Sequence, residues 1–181
     1  MERNLTFIAL FAALIAALGL LPKFTLMSGI PITAQTLGIM LCGTILGARR
    51  GALAVILFLV LVAIGLPLLA GGRGGLGVFN TPWAGFLFGW PVAAYVTGLV
   101  VEKWRTGNLS LIAGVASVIG GIGALYAIAI PYYMLTADKG LTEATWTMSP
   151  FIPGDLIKCV LAGVVTQAIW KARPEALLSR S

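Results

Sequence analysis

Leu109–Leu135 reads LSLIAGVASVIGGIGALYAIAIPYYML, and no charged residue interrupts it. About 20 mostly apolar residues suffice to cross the hydrocarbon core of a bilayer, because a helix satisfies its own backbone hydrogen bonds where no water is available. Leu5–Leu21, Thr33–Gly47, Gly51–Ala70, Pro82–Val101 and Pro153–Trp170 repeat the pattern, each set off by a short segment carrying charge, glycine or proline. The sequence therefore predicts an all-α integral membrane protein with about six transmembrane helices. Thr33–Gly47 is short for the hydrocarbon thickness and follows Gly29-Ile30-Pro31. It is expected to be tilted, partly unwound or preceded by a re-entrant piece, features often found beside binding sites.

The whole chain fits that reading. Its 181 residues are 59% hydrophobic and 10% charged, with no His, whereas soluble domains carry roughly a quarter charged residues. One transmembrane domain spanning 1–181 is expected, since neither a repeat nor a low-complexity linker divides it. The net charge of +6 lies between the apolar runs and forms no stripe, so it speaks for membrane orientation and against a nucleic-acid partner. If the spans alternate, Arg3, Arg49, Arg50, Lys103, Arg105, Lys171, Arg173 and Arg180 share one side. Lys23, Arg73 and Lys139 share the other, with Lys158 just inside the last span. That bias puts both termini in the cytoplasm. Asp138, Glu143 and Asp155 then lie outside with the two longest loops, Gly71–Thr81 and Thr136–Ile152. Trp104 and Trp170 fit the inner interfacial belt, and Trp83 and Trp146 the outer one. Trp90 fits neither; helix packing is its ordinary role and contact with a ligand the alternative.

The N-terminal run lacks a small-residue cleavage site and reads as the first span, not a signal peptide. Cys42 and Cys159 have no CxxC or Cys/His companion and read as packing residues. Without His, and with acidic residues scattered over loops and span ends, no catalytic constellation or metal site is expected. The chain is read as a non-enzyme needing no cofactor. There is no GxxxxGK[ST] either, so energy from ATP would come from another subunit. Gly72-Arg73-Gly74-Gly75-Leu76-Gly77 matches GxGxxG but sits between two spans, outside the strand-to-helix context of a dinucleotide site. Such a run serves either close backbone approach to a ligand or a simple turn.

Ala9, Ala13 and Ala17, four apart, form a small-residue face on the first span on which another helix can dock. Ala12 and Ala16, Gly43 and Gly47, and Gly85 and Gly89 repeat the spacing, and contact within the chain is the usual reason for it. Asp155 and Lys158 share a helix face at the edge of an apolar span, where ionisable groups are costly unless paired or functional. Either Asp155 caps a helix beginning near Pro153 while Lys158 snorkels outward, or the two form a ligand site.

Several segments in order resemble one family, the biotin-specific substrate-binding subunits (S components, BioY) of energy-coupling-factor vitamin transporters. They are Ile30-Pro31-Ile32-Thr33-Ala34-Gln35-Thr36-Leu37, Gly47-Ala48-Arg49-Arg50-Gly51-Ala52, Ala63-Ile64-Gly65-Leu66-Pro67 with the glycine loop, and Pro153-Gly154-Asp155-Leu156-Ile157-Lys158. The resemblance covers nearly the whole chain. It implies a six-helix fold in a bacterial inner membrane that captures biotin near the outer face. It implies as partners a transmembrane coupling protein, two cytoplasmic ATPase subunits and the membrane lipid. The Ala9, Ala13 and Ala17 face would meet the coupling protein. By position, Asp155, Lys158 and Asn80 would be polar biotin contacts beside the Gly74 backbone, with Gln35 and Arg73 further candidates. After the glycine loop the chain has Thr81-Pro82-Trp83-Ala84-Gly85-Phe86, where the family usually has a Gly-Pro-Thr-Gly-Gly-Tyr-like run. Biotin's ureido N–H groups suit a carboxylate, its tail carboxylate suits a cation, and its thioether ring suits apolar walls. A stand-alone secondary transporter for biotin or another small vitamin is the alternative; it would ordinarily show internal repeats and mid-span acids.

Overall fold

The computed structural model describes residues 2–21, 24–25 and 31–180. Through them run six helical rods: α1 Glu2–Gly19, α2 Gln35–Leu46, α3 Ala48–Ala63, α4 Ala84–Lys103, α5 Leu109–Ala137 and α6 Leu141–Ala172. Between α1 and α2, β1 Phe24–Thr25 pairs antiparallel with β2 Pro31–Ile32. Lys23 and Ile30, used in the charge count and the family-like segment, lie outside the described residues. The rods α1, α4, α5 and α6 are long and apolar enough to cross a membrane. The second rod is short, as its sequence predicts. Large apolar side chains face outward along α3 (Leu53, Ile56, Val60) and α6 (Leu156, Ile157, Val160, Leu161, Val164). A surface this apolar is suited to lipid and not to water. The chain is a membrane protein.

Two spans depart from the sequence reading. The third was expected to reach Ala70, but α3 ends at Ala63, and Gly65 at φ +111° breaks it with Pro67 close behind. Leu66–Ala70 remains apolar because Leu69 and Ala70 are buried as irregular chain; composition reports burial, not conformation. Thr136–Ile152 is mostly helix and not a loop. The fifth rod runs to Ala137, Asp138 ends it in the left-handed region at φ 51°, and α6 starts at Leu141 and passes through a 3₁₀ turn at Ser149–Phe151.

Near their middles or ends, α2 and α5 widen into π-helical turns at Cys42–Leu46 and Ile119–Ala124, insertions that often mark functional regions. At the first of these the carbonyls of Thr44 and Ile45 accept hydrogen bonds from Ser179, from its Oγ at 2.6 Å and its N–H at 2.9 Å. The segment Leu177–Ser179 is thereby buried at that end of the bundle. The glycine spacings pack within the chain. A Cβ on Gly43 would come 2.6 Å from the Ala94 carbonyl of α4, and one on Gly85 would come 2.7 Å from Tyr132 of α5. On α1, Ala12 is buried while Ala9, Ala13 and Ala17 are exposed, so the described chain leaves that face uncovered.

Candidate functional site

At one end of the bundle four segments surround a cavity. Thr33, Gln35 and Thr36 come from the entry to α2; Leu69, Arg73, Val78 and Thr81 from the connection between α3 and α4. From α4 and the turn before it come Trp83, Phe86, Leu87 and Trp90, and from α6 come Phe151, Asp155 and Lys158. About 120 Å³ is open to the centre of a water molecule, against roughly 10–15 Å³ for one water. A small organic molecule, not a lone solvent molecule, matches that space.

The floor is polar and the walls are aromatic. Lys158 Nζ lies 2.9 Å from Asp155 Oδ1 and donates to Thr36 Oγ1 at 2.7 Å. Tyr126 of α5 donates to Asp155 Oδ2 at 2.8 Å, and Thr36 Oγ1 stands 3.4 Å from Oδ1. Both charges are nearly enclosed, their side chains 12% and 5% exposed. A buried ion pair survives when further hydrogen bonds fill the remaining donor and acceptor positions, as Tyr126 and Thr36 do here. The capping reading of Asp155 is thus corrected: α6 is already helical before Pro153, its carboxylate bonds to side chains of three helices, and Lys158 turns inward. Above the pair, Phe86 meets Tyr126 edge-on with ring centroids 5.6 Å apart and Phe151 at 5.8 Å. Trp83 stacks at 4.8 Å on Tyr133. Trp83 therefore lines the cavity wall, a role that its belt reading did not include. Trp90 is buried and lines the cavity with an indole N–H that has no partner among the described residues.

Of the other expected residues, Gln35 reaches the cavity but is occupied by backbone. Its Nε2 donates to the carbonyls of Ile15 at 3.2 Å and Leu68 at 3.0 Å, and its Oε1 accepts from Ala70 N–H at 3.0 Å. It ties α1 to the chain on either side of Leu69 and so positions the neighbouring wall. Arg73 is exposed at the rim. The turn holding it closes by Leu69–Arg73 backbone bonding across Gly71 and Gly72, at φ 82° and 69°, a region that glycine enters without strain. Gly74 backs onto the Leu66 carbonyl and Asn80 is exposed; neither lines the cavity. Thr36 and Tyr126 were not singled out in the sequence. A lone hydroxyl inside an apolar run gives little signal, although Thr36 sits next to Gln35 in a segment that did attract notice. Among the described residues no three His, Cys, Asp or Glu side chains converge on a metal position. The arrangement offers paired charge, hydroxyls and aromatic faces around an apolar volume, the chemistry suited to holding a small molecule.

Comparison with known proteins places the chain in one family. Residues 2–175 match the model of the BioY family. The "Biotin transporter BioY" of Rhodobacter capsulatus is 54% identical across 99% of this chain and 100% of that protein. The protein of the same name from Rhizobium etli is 50% identical across 95% of each. The solved S-component for biotin from an ECF-type ABC transporter superposes with a TM-score of 0.87 at 29% identity, over 94% of this chain and 92% of that one.

Proposed function

The chain belongs to the BioY family, and on that premise we propose that it captures biotin as the S component of an energy-coupling-factor importer. One membrane domain covering 1–181 takes up the vitamin, and separate coupling and ATPase subunits supply the energy. The protein is no enzyme. It sits as a multi-pass protein in the bacterial inner membrane, both termini cytoplasmic by the charge bias, with the cup facing outward. The observation that carries the reading is the buried Asp155–Lys158 pair beneath an aromatic wall. Asp155 accepts the ureido N–H groups, and aromatic side chains cover the thioether ring. Lys158 stands 2.9 Å from Asp155, too close for the two to meet both ends of an extended biotin. The tail carboxylate therefore draws on Lys158 in a bent ligand and on Arg73 at the rim in an extended one. Gln35 shapes the wall without touching the ligand.

Titration of the purified chain with biotin, thiamine and riboflavin tests the reading. Saturable binding of biotin alone is expected, and a preference for either of the other vitamins contradicts it. The coupling protein is proposed to dock on the exposed Ala9, Ala13 and Ala17 face, where close helix approach tolerates no added bulk. Ala13→Trp should abolish co-purification with the coupling protein while biotin binding persists; wild-type yield of the complex would refute the docking face.

A further inference from the structure

Away from the cup, toward the other end of α4, lies a second cavity of about 410 Å³. Arg49 and Arg50 at the start of α3, Arg105 just past α4, and Tyr95, Leu99 and Glu102 on α4 line it. Three guanidiniums thus face one carboxylate, and Glu102 Oε1 already accepts the Ala48 N–H at 2.9 Å. Arg50 donates to the Leu178 carbonyl at 3.1 Å, and Arg105 to those of Glu102 and Arg180 at 2.8 and 3.3 Å. No carboxylate pairs with any of them among the described residues. Arg49 is exposed with no hydrogen-bond partner there. Arg180 joins the group, its Nε buried without a partner among the described residues. Burial, then repulsion from Arg105, holds its guanidinium below the ordinary arginine range. The described lining of this cavity gathers three arginines and one acid, Glu102.

The cavity also has an apolar approach. Phe88, Val92, Tyr95 and Leu99 follow one another at four- and three-residue steps along one side of α4, and the first three are large, exposed side chains. On α3, Leu53 and Ile56 lie one and two turns beyond Arg49, exposed in the same way. A free anion has no use for such stripes, whereas a phospholipid uses them and the arginines together. Guanidinium forks match phosphate oxygens two at a time, and basic pockets between helices on the cytoplasmic side hold anionic head groups.

We propose that this cavity seats the phosphate head group of an acidic phospholipid against Arg49, Arg50 and Arg105, its acyl chains lying along the Phe88–Leu99 stripe. Native mass spectrometry of the full chain, released from nanodiscs of equal phosphatidylglycerol and phosphatidylcholine, tests it. The wild type should retain phosphatidylglycerol in preference, and the preference should fall roughly fivefold for each arginine replaced in Arg49→Gln and Arg49→Gln/Arg105→Gln. Biotin affinity, which these residues do not serve, reports that each variant is folded. The single variant at an exposed, unpartnered position keeps the test decisive if the double variant fails to fold. Equal retention of the two lipids by the wild type, or an unchanged preference in Arg49→Gln, overturns the proposal. So does displacement of the lipid by millimolar inorganic phosphate, which would assign the arginines to a free anion.

Discussion

The cup at one end of α4 and the arginine cavity at its other end both set charged side chains against apolar walls, yet they treat charge in opposite ways. On the floor of the cup Asp155 and Lys158 are each other's counterpart within hydrogen-bond distance, and Thr36 and Tyr126 occupy further positions around the pair; Arg73 at the exposed rim is the one cup charge left without an acid among the described residues. In the arginine cavity Arg50 and Arg105 rest on backbone carbonyls, Arg49 has no partner among the described residues, and the lining carboxylate of Glu102 is spent on a helix N-terminus. The lesson is one of exchange. A paired, enclosed site lets a small ligand swap its own donors and acceptors for the protein's without leaving a bare charge in a dry cavity. An unpaired basic site at a membrane edge instead stays charged and depends on its surroundings for neutralisation.

Breaking the cup should have the largest effect. Lys158→Ala leaves Asp155 buried without its cation; truncating one member of such a pair costs about 2–5 kcal/mol, roughly 30- to several-thousand-fold in biotin affinity. Thermal unfolding in detergent should also fall well below the wild type. Affinity and melting temperature both near wild type would mean that the pair carries neither ligand nor fold. Trp90→Phe sharpens the comparison, since it keeps an aromatic wall and removes only the unpartnered indole N–H. Biotin affinity should drop by about 2- to 10-fold, the worth of one neutral hydrogen bond, and an unchanged dissociation constant would show that the N–H meets no ligand atom. The smallest effect belongs to Glu143→Gln. Its partner Lys139 is 2.7 Å away, both side chains are largely exposed, and pairs of this kind contribute little. The hydrogen bond to Glu143 holds the Lys139 ammonium above its ordinary range, so the lysine's contribution is present at neutral pH and is lost as the pH rises past the lysine range. Melting temperature and biotin affinity at pH 7 should both stay at wild type; a weaker affinity would extend the site to Glu143.

Much of this architecture was legible because a membrane forces it. Leu109–Leu135 has one physical solution, a spanning helix, and α5 follows it closely. The shortness of α2 was legible for the same reason. What failed to read out was conformation where burial is supplied by protein instead of lipid. Leu66–Ala70 is as apolar as a helix but folds as irregular chain, with Leu69 in the cup wall and Ala70 buried beside it, while Pro150 and Pro153 look like a helix start and lie inside α6. Asp155 and Lys158 were visible because charge in an apolar run is costly and so demands a reason. Tyr126 and Trp83 were not, and Trp90 only as the lesser of two roles, because nothing in their own segments tells an aromatic that lines a cavity from one that fills a core. Asn80 shows the converse: its position in a family-like segment suggested contact, and its side chain is exposed away from the cavity lining.

The central claim is that the Asp155 carboxylate, held by Lys158 and Tyr126, receives biotin. Asp155→Asn tests it most directly, since the change preserves volume and removes charge. Titration calorimetry with biotin on the folded variant should give a dissociation constant at least about tenfold weaker than wild type, the worth of one charge-assisted hydrogen bond. A constant within about twofold of wild type would contradict the account and leave the pair a structural feature of the helix bundle.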